Sequence, residues 1–133
     1  MAKHKEPTPL PSDAQWEVLN IIWESGEATV GEVWQAFAAR RPVARNTVLT
    51  LVARLEEKGW LRRRLEGKVL RYSATVTQQT ALRQMVRRLV DTAFRGSVEG
   101  LVMMLLGDSD LAEGESDRIR AMLEKARREK KGR

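Results

Sequence analysis

Asn46, Thr50 and Ala53 recur every three or four residues within ARRPVARNTVLTLVARLEEKGWLRRR, residues 39 to 64. At about 100° per residue they fall on one side of a helix, bordered by Thr47 and Arg54, with Glu57 continuing the line and Arg45 near the helix start. Val48, Leu51, Val52 and Leu55 fall together on the opposite side, which is the side to bury. A surface helix ordinarily carries long charged side chains where this strip has small ones. Small polar residues let a helix backbone sit deep in a B-DNA major groove, where Asn and Thr meet base edges and Arg reaches guanine or phosphate. The chemistry on offer is hydrogen bonding to bases without covalent change.

The elements that would position this strip follow from the punctuation around it. Ser12 with Gln15 three residues on is a capping box, and Trp16, Leu19, Ile22 and Trp23 follow at helical spacing until Gly26. Thr29 with Glu32 repeats the box and opens a second helix with the stripe Val30, Val33, Trp34 and Phe37, which Pro42 terminates. The third helix is read from Val43 to Gly59. After it, WLRRRLEGKVLRYSAT holds two extended runs around Glu66-Gly67-Lys68, a β-hairpin with glycine at its tip. Leu61 and Leu65 share one face of it with Arg63 between them, and Leu70 shares a face with Tyr72. Helix-turn-helix followed by a basic hairpin is a winged-helix arrangement, in which Arg62, Arg63, Arg64, Lys68 and Arg71 would grip phosphates.

Charge agrees with that partner. The chain carries a net +6 and a pI near 10.2. Between Arg40 and Arg71 ten basic residues stand against three acidic ones, an excess larger than that of the whole chain. Lys58, on the third helix, is among them. A solvated basic face is the bland alternative. At 133 residues and 42% hydrophobic composition, the chain has room for one compact domain with a smaller helical appendage. Zero cysteines exclude disulfides and thiolate chemistry. No apolar run is long enough to span a bilayer, and MAKHKEPTPLP lacks the apolar centre of a signal peptide, so a cytoplasmic protein without direct membrane insertion is expected.

The segments LPSDAQWEVLNIIWESGEATVGEVW, NTVLTLVARLEEKGWL and EGKVLRY resemble the penicillinase-repressor (BlaI/MecI/CopY) family of bacterial transcription regulators, over about residues 10 to 128. The resemblance implies a homodimeric winged-helix repressor on a double-stranded DNA operator with dyad symmetry. The family's DNA-reading positions fall on Asn46, Thr47, Thr50 and Arg54, with Asn46 replacing a usual basic residue. Ala44 replaces a typical Ser cap, which weakens the helix start by about 1 kcal/mol. The resemblance also implies inactivation by a membrane-bound sensor protease cutting between Met104 and Leu105, where Met104 stands in place of the usual Asn.

Residues 1–11, with three prolines, read as a flexible basic arm, and residues 12–74 as the winged domain. Residues 75–130 read as a helical dimerisation region. Thr75 or Thr77 caps a helix to about Ala93, with Leu82, Met85, Val86, Leu89 and Phe94 near one side. SVEGLVMMLLG, capped by Ser97 and including Leu101, Val102 and Leu105, is apolar on almost every side and needs cover from several directions. A last helix from about Glu113 places Ile119, Met122, Leu123 and Ala126 on one stripe. Two interlocked copies would supply the cover; folding back as a monomer is the alternative.

Catalysis is not expected: there is no phosphate loop, no nucleophile beside a usable histidine, and Glu56 and Glu57, adjacent on a helix, face apart. No cofactor or metal is expected. His4 sits alone in the arm, the chain lacks the cysteine pairs that end copper-responsive relatives, and Asp108, Asp110, Glu113 and Glu115 lack calcium-loop spacing. The competing functions are a winged-helix module that docks another protein and an architectural, nonspecific nucleic-acid binder.

Overall fold

The computed structural model describes residues 9–107 and 111–132. The chain is mainly α with one antiparallel hairpin: α1 (Asp13–Ser25), α2 (Val30–Ala38), α3 (Arg45–Glu57), β1 (Leu61–Glu66), β2 (Val69–Ala74), α4 (Gln78–Thr92), α5 (Val98–Leu106) and α6 (Glu115–Lys131). It divides into two compact units, the first ending at Met85 and the second beginning at Val86.

Local chemistry starts the first three helices in different ways. Both capping boxes form: the Ser12 hydroxyl accepts from the Gln15 N–H and the Thr29 hydroxyl from the Glu32 N–H, each answered by the reciprocal bond. α1 ends at Gly26, whose φ of 84° only glycine adopts without strain. The third helix is shorter than the Val43–Gly59 expected. Val43 stays outside it, its carbonyl accepting the Trp34 indole N–H at 3.0 Å, and Gly59 ends it at φ 89°. Ala44 takes the N-cap position in extended conformation with no side chain to accept an orphan N–H. Ala44→Ser therefore adds about 1 kcal/mol to the stability of the first unit, read as a rise in its urea midpoint with an unchanged slope.

The core of the first unit is a single cluster. Val18, Leu19 and Ile22 of α1, Val33 and Phe37 of α2, and Val48, Val52 and Leu55 of α3 are buried against Trp60, Leu61 and Tyr72. Trp16 and Trp23, expected on the inward stripe of α1, are half-buried at its margin, packed edge to face at 5.7 Å, while Val18 and Ile21 take the deeper places. Leu51 is likewise only half-buried. The hairpin pairs Leu61 with Ala74 through Glu66 with Val69, leaving Gly67 (φ 64°) and Lys68 as its turn. Ala28, between α1 and α2, adds a bridge to the outer edge of β2 through both backbone groups of Tyr72.

The first unit also reaches past both ends of the expected winged domain. Pro9 accepts the Trp60 indole N–H at 2.9 Å and Pro11 is buried, so the last residues of the expected arm are pinned; residues 1–8, His4 among them, lie outside the described residues. Beyond Ala74, Val76 accepts the Trp23 indole N–H at 3.0 Å and Ala81 is buried in the core, which carries the unit into α4. Thr77 rather than Thr75 caps α4, accepting the Thr80 N–H; Thr75 donates its hydroxyl proton to the Gly59 carbonyl instead.

In the second unit Ser97 caps α5 as expected, accepting from the Gly100 N–H. α6 begins at Glu115, later than Glu113, because Gly114 (φ 79°) turns the chain immediately before it. No residue of α5 is fully buried.

Candidate nucleic-acid interface

The strip on α3 is open. Asn46, Thr47, Thr50, Ala53, Arg54 and Glu57 are all exposed, while Val48, Val52 and Leu55, on the far side of the same helix, have no exposed surface. Thr50 donates its hydroxyl proton to the Asn46 carbonyl at 3.0 Å. That bond fixes the side chain: its donor is spent on the helix, leaving an acceptor lone pair and a methyl group directed outward. Among the described residues the Asn46 side-chain amide makes no hydrogen bond, so it offers both donor and acceptor, which suits the N6/N7 edge of adenine.

Sequence reading passed over Leu49. At 47% exposure it borders the strip on the side away from Arg54, where its helical phase places it beside Asn46 and Ala53. An apolar side chain in that position can meet a thymine methyl. Its signal in the sequence was that it belongs to neither the inward stripe nor the polar ridge.

The hairpin meets α3 along that same flank. Arg63 of β1 reaches Glu56 of α3, Nε to Oε2 3.3 Å. Strand alternation puts Arg63 on the face that carries Leu61 and Tyr72 into the core, and Arg62 and Arg64 on the opposite face. Toward the tip the inward face runs out of domain to cover it, so Leu65 is 66% exposed and its cross-strand partner Leu70 is also exposed, although Leu70 shares its face with buried Tyr72.

The cations named from sequence divide into two groups. Arg45, Arg54, Arg62 and Lys68 are exposed and make no ion pair among the described residues. The Arg45 guanidinium rests over Gly31, at the first turn of α2. The others are engaged. Arg64 holds Glu27 through two parallel bonds of 2.8 Å and lies 3.7 Å from Glu66. Arg71 bonds Glu66 at 2.6 Å and lies 3.8 Å from Glu32. Lys58 is withdrawn from the basic face altogether, its ammonium donating to the buried Gln15 amide oxygen at 2.7 Å and to the Leu10 carbonyl at 3.4 Å. Arg41 pairs with Glu17 at 2.7 Å and lies over the Phe37 ring.

The paired bonds from Arg64 hold the Glu27 carboxyl below its ordinary 4.5, and Glu27 in turn raises the Arg64 guanidinium. A carboxylate with a depressed pKa keeps its contribution at neutral pH and loses it only as pH falls through the lowered value. The pair is fully charged wherever a nucleic acid would be met.

A family model described as penicillinase repressor matches residues 11–125. The chain belongs to the penicillinase-repressor family. The family is one of transcriptional repressors and not of enzymes. Among similar proteins are the methicillin resistance regulatory protein MecI of Mammaliicoccus sciuri, 27% identical over 86% of this chain and 93% of that one, and the penicillinase repressor of Bacillus licheniformis, 24% identical over 92% and 96%. The crystal structure of the transcriptional regulator Tm0710 from Thermotoga maritima shares the fold at a TM-score of 0.52 and 24% identity, covering 87% of this chain and 73% of that one. The solution structure of monomeric Bacillus licheniformis BlaI in complex with the blaP half-operator matches at 30% identity over 53% of this chain and 87% of that one, with a TM-score of 0.48.

Leu82, Leu89, Leu105, Met122 and Leu123 are exposed, whereas Met85, Leu101, Val102 and Ile119 are half-buried. Met104 and Leu105 both lie in α5 with exposed side chains. Among the described residues no group of three or more His, Cys, Asp or Glu is arranged to hold a metal ion; Asp108 and Asp110 lie outside them. No described helix is long and apolar enough to cross a membrane.

Proposed function

We propose that this penicillinase-repressor family member is a sequence-specific transcriptional repressor that lays α3 into the major groove of duplex DNA and rests its wing on the adjacent backbone. The observation that carries the reading is the open, low ridge of Asn46, Thr50 and Ala53 on one helix between Arg45 and Arg54, which make no ion pair among the described residues. Asn46, Thr50 and Leu49 read base edges; Arg45, Thr47 and Arg54 reach guanine or phosphate at the groove margin; Arg62 and Lys68 neutralise phosphates from the wing.

One recognition helix spans few base pairs and discriminates weakly against bulk DNA, so two copies act together on a dyad-symmetric site. Support for the homodimer comes from the second unit: Met103 and Met104 of α5 and Met122 of α6 are each more than 60% exposed, apolar surface that a second copy would cover. On the same reading, repression is released when a membrane-bound sensor protease cuts the Met104–Leu105 bond. That bond lies inside α5, so the helix must open locally before a protease can bind it as extended backbone. A chain left intact by a cognate protease rejects this last step alone.

Selection of bound duplexes from a random-sequence pool tests the main reading. A twofold-symmetric consensus is the expected result; a pool that stays random after selection means an architectural binder, and a pool with no retained duplex means a protein-docking module. On the selected duplex, Arg62→Gln and Lys68→Gln each lower the slope of log affinity against log salt by about 0.9, while leaving base preference unchanged.

A further inference from the structure

We propose that Glu27 is a positioning residue that sets the wing, and that Arg64 and Arg71 are held by carboxylates to orient the hairpin instead of contacting phosphate. This rests on the DNA-binding reading above. It departs from the sequence expectation that every arginine of the hairpin grips the DNA backbone.

The register creates the need for such a device. Arg64 and Arg71 are direct cross-strand partners, two like charges facing each other across β1 and β2, an arrangement that by itself opens a hairpin. Three carboxylates offset it: Glu66 from within the hairpin, Glu32 from α2, and Glu27 from the link between α1 and α2. Glu27 makes the bidentate contact of the three, a paired fork of two 2.8 Å bonds, the geometry that restrains an arginine's direction as well as its distance.

Its neighbour in sequence adds the second restraint. Ala28 exchanges both backbone bonds with Tyr72, at 3.0 and 2.8 Å. One dipeptide therefore ties β2 through its backbone and β1 through a side chain, so the hairpin is held at two points to the segment that precedes α2. Moving Arg64 to a phosphate would strip Glu27 of its partner while bringing an uncompensated carboxylate toward a polyanion. Arg62 and Lys68, which make no ion pair among the described residues, carry no such penalty.

The test is the sign of the Glu27→Gln effect. If Glu27 only repelled DNA, removing its charge would tighten binding. The expected result is the reverse: Glu27→Gln and Arg64→Gln each weaken binding to a mixed-sequence duplex roughly threefold to tenfold, the range open to an exposed but bidentate pair. The salt slope stays at the wild-type value in both, unlike the loss of about 0.9 in Arg62→Gln. The double variant is no weaker than either single one, because both remove the same contact. Tighter binding by Glu27→Gln, or a slope in Arg64→Gln that drops as far as in Arg62→Gln, overturns the inference and leaves the function standing. A wild-type protein that binds no duplex at any salt concentration overturns both.

Discussion

Replacing Trp60 by alanine removes about 3–5 kcal/mol of stability, the largest single effect expected in this protein. Trp60 has no exposed surface and is the largest fully buried side chain. It stands at the junction of α3 and β1, its N–H bonded to the Leu55 carbonyl and its own carbonyl accepting the Thr75 N–H, so it locks the end of the recognition helix to the base of the wing. Its indole N–H also anchors Pro9. Small domains have only about 5–15 kcal/mol to lose, so the variant unfolds at a fraction of the wild-type urea concentration. Far-ultraviolet circular dichroism against urea is the measurement. Trp60→Phe, which keeps an aromatic ring but cannot hold Pro9, should lose distinctly less. Equal midpoints for wild type and Trp60→Ala would mean that this junction is not where the unit is held.

Asn46→Ala produces the largest change in recognition. An amide reading one base pair bidentately is worth about 1–3 kcal/mol of discrimination, or roughly fivefold to 150-fold between the preferred base and its competitors at that position. Thr50→Val makes a narrower test. Its hydroxyl proton is already given to the Asn46 carbonyl, so valine keeps the outward methyl and removes only the acceptor. The expected outcome is a lost preference at one position for a base presenting an amino donor, with thymine contacts retained. Both are read by repeating the duplex selection with each variant and comparing consensus sequences, at one fixed salt concentration. A uniform loss of affinity on every duplex, with unchanged base preferences, would show that the ridge fits the groove without reading it.

Much of this molecule was legible because its signals are local. Ser12 with Gln15, Thr29 with Glu32 and Ser97 with Gly100 each act across one helical turn, so residue type and spacing suffice to place them. The ridge on α3 was legible for a related reason. Helical phase is a property of the backbone, and once Val48, Val52 and Leu55 face inward, Asn46, Thr50 and Ala53 must face out. Where sequence reading went astray locally, a distant partner had intervened: the α3 start moved from Val43 to Arg45, with the Val43 carbonyl accepting the indole of Trp34.

The charge map was not legible in the same way. Ten cations between Arg40 and Arg71 look equivalent in composition, yet the fold sorts them by residues far off in the chain. Arg64 meets Glu27 across 37 positions, and Lys58 meets Gln15 across 43 and Leu10 across 48. No periodicity encodes such pairings, since they arise when separate elements dock. The exposure of Leu65 and Leu70 has the same origin: alternation marks a face of the hairpin, but only the extent of the packed domain decides how far along that face cover reaches. Residue order and spacing alone are enough to set two box-capped helices, a third helix whose N-cap has no side-chain acceptor, a glycine-turned hairpin and a low polar ridge on the third helix. Which arginines remain available to a polyanion depends on how the elements dock, because an ion pair is formed by positions in space and its members carry no mark of it along the chain.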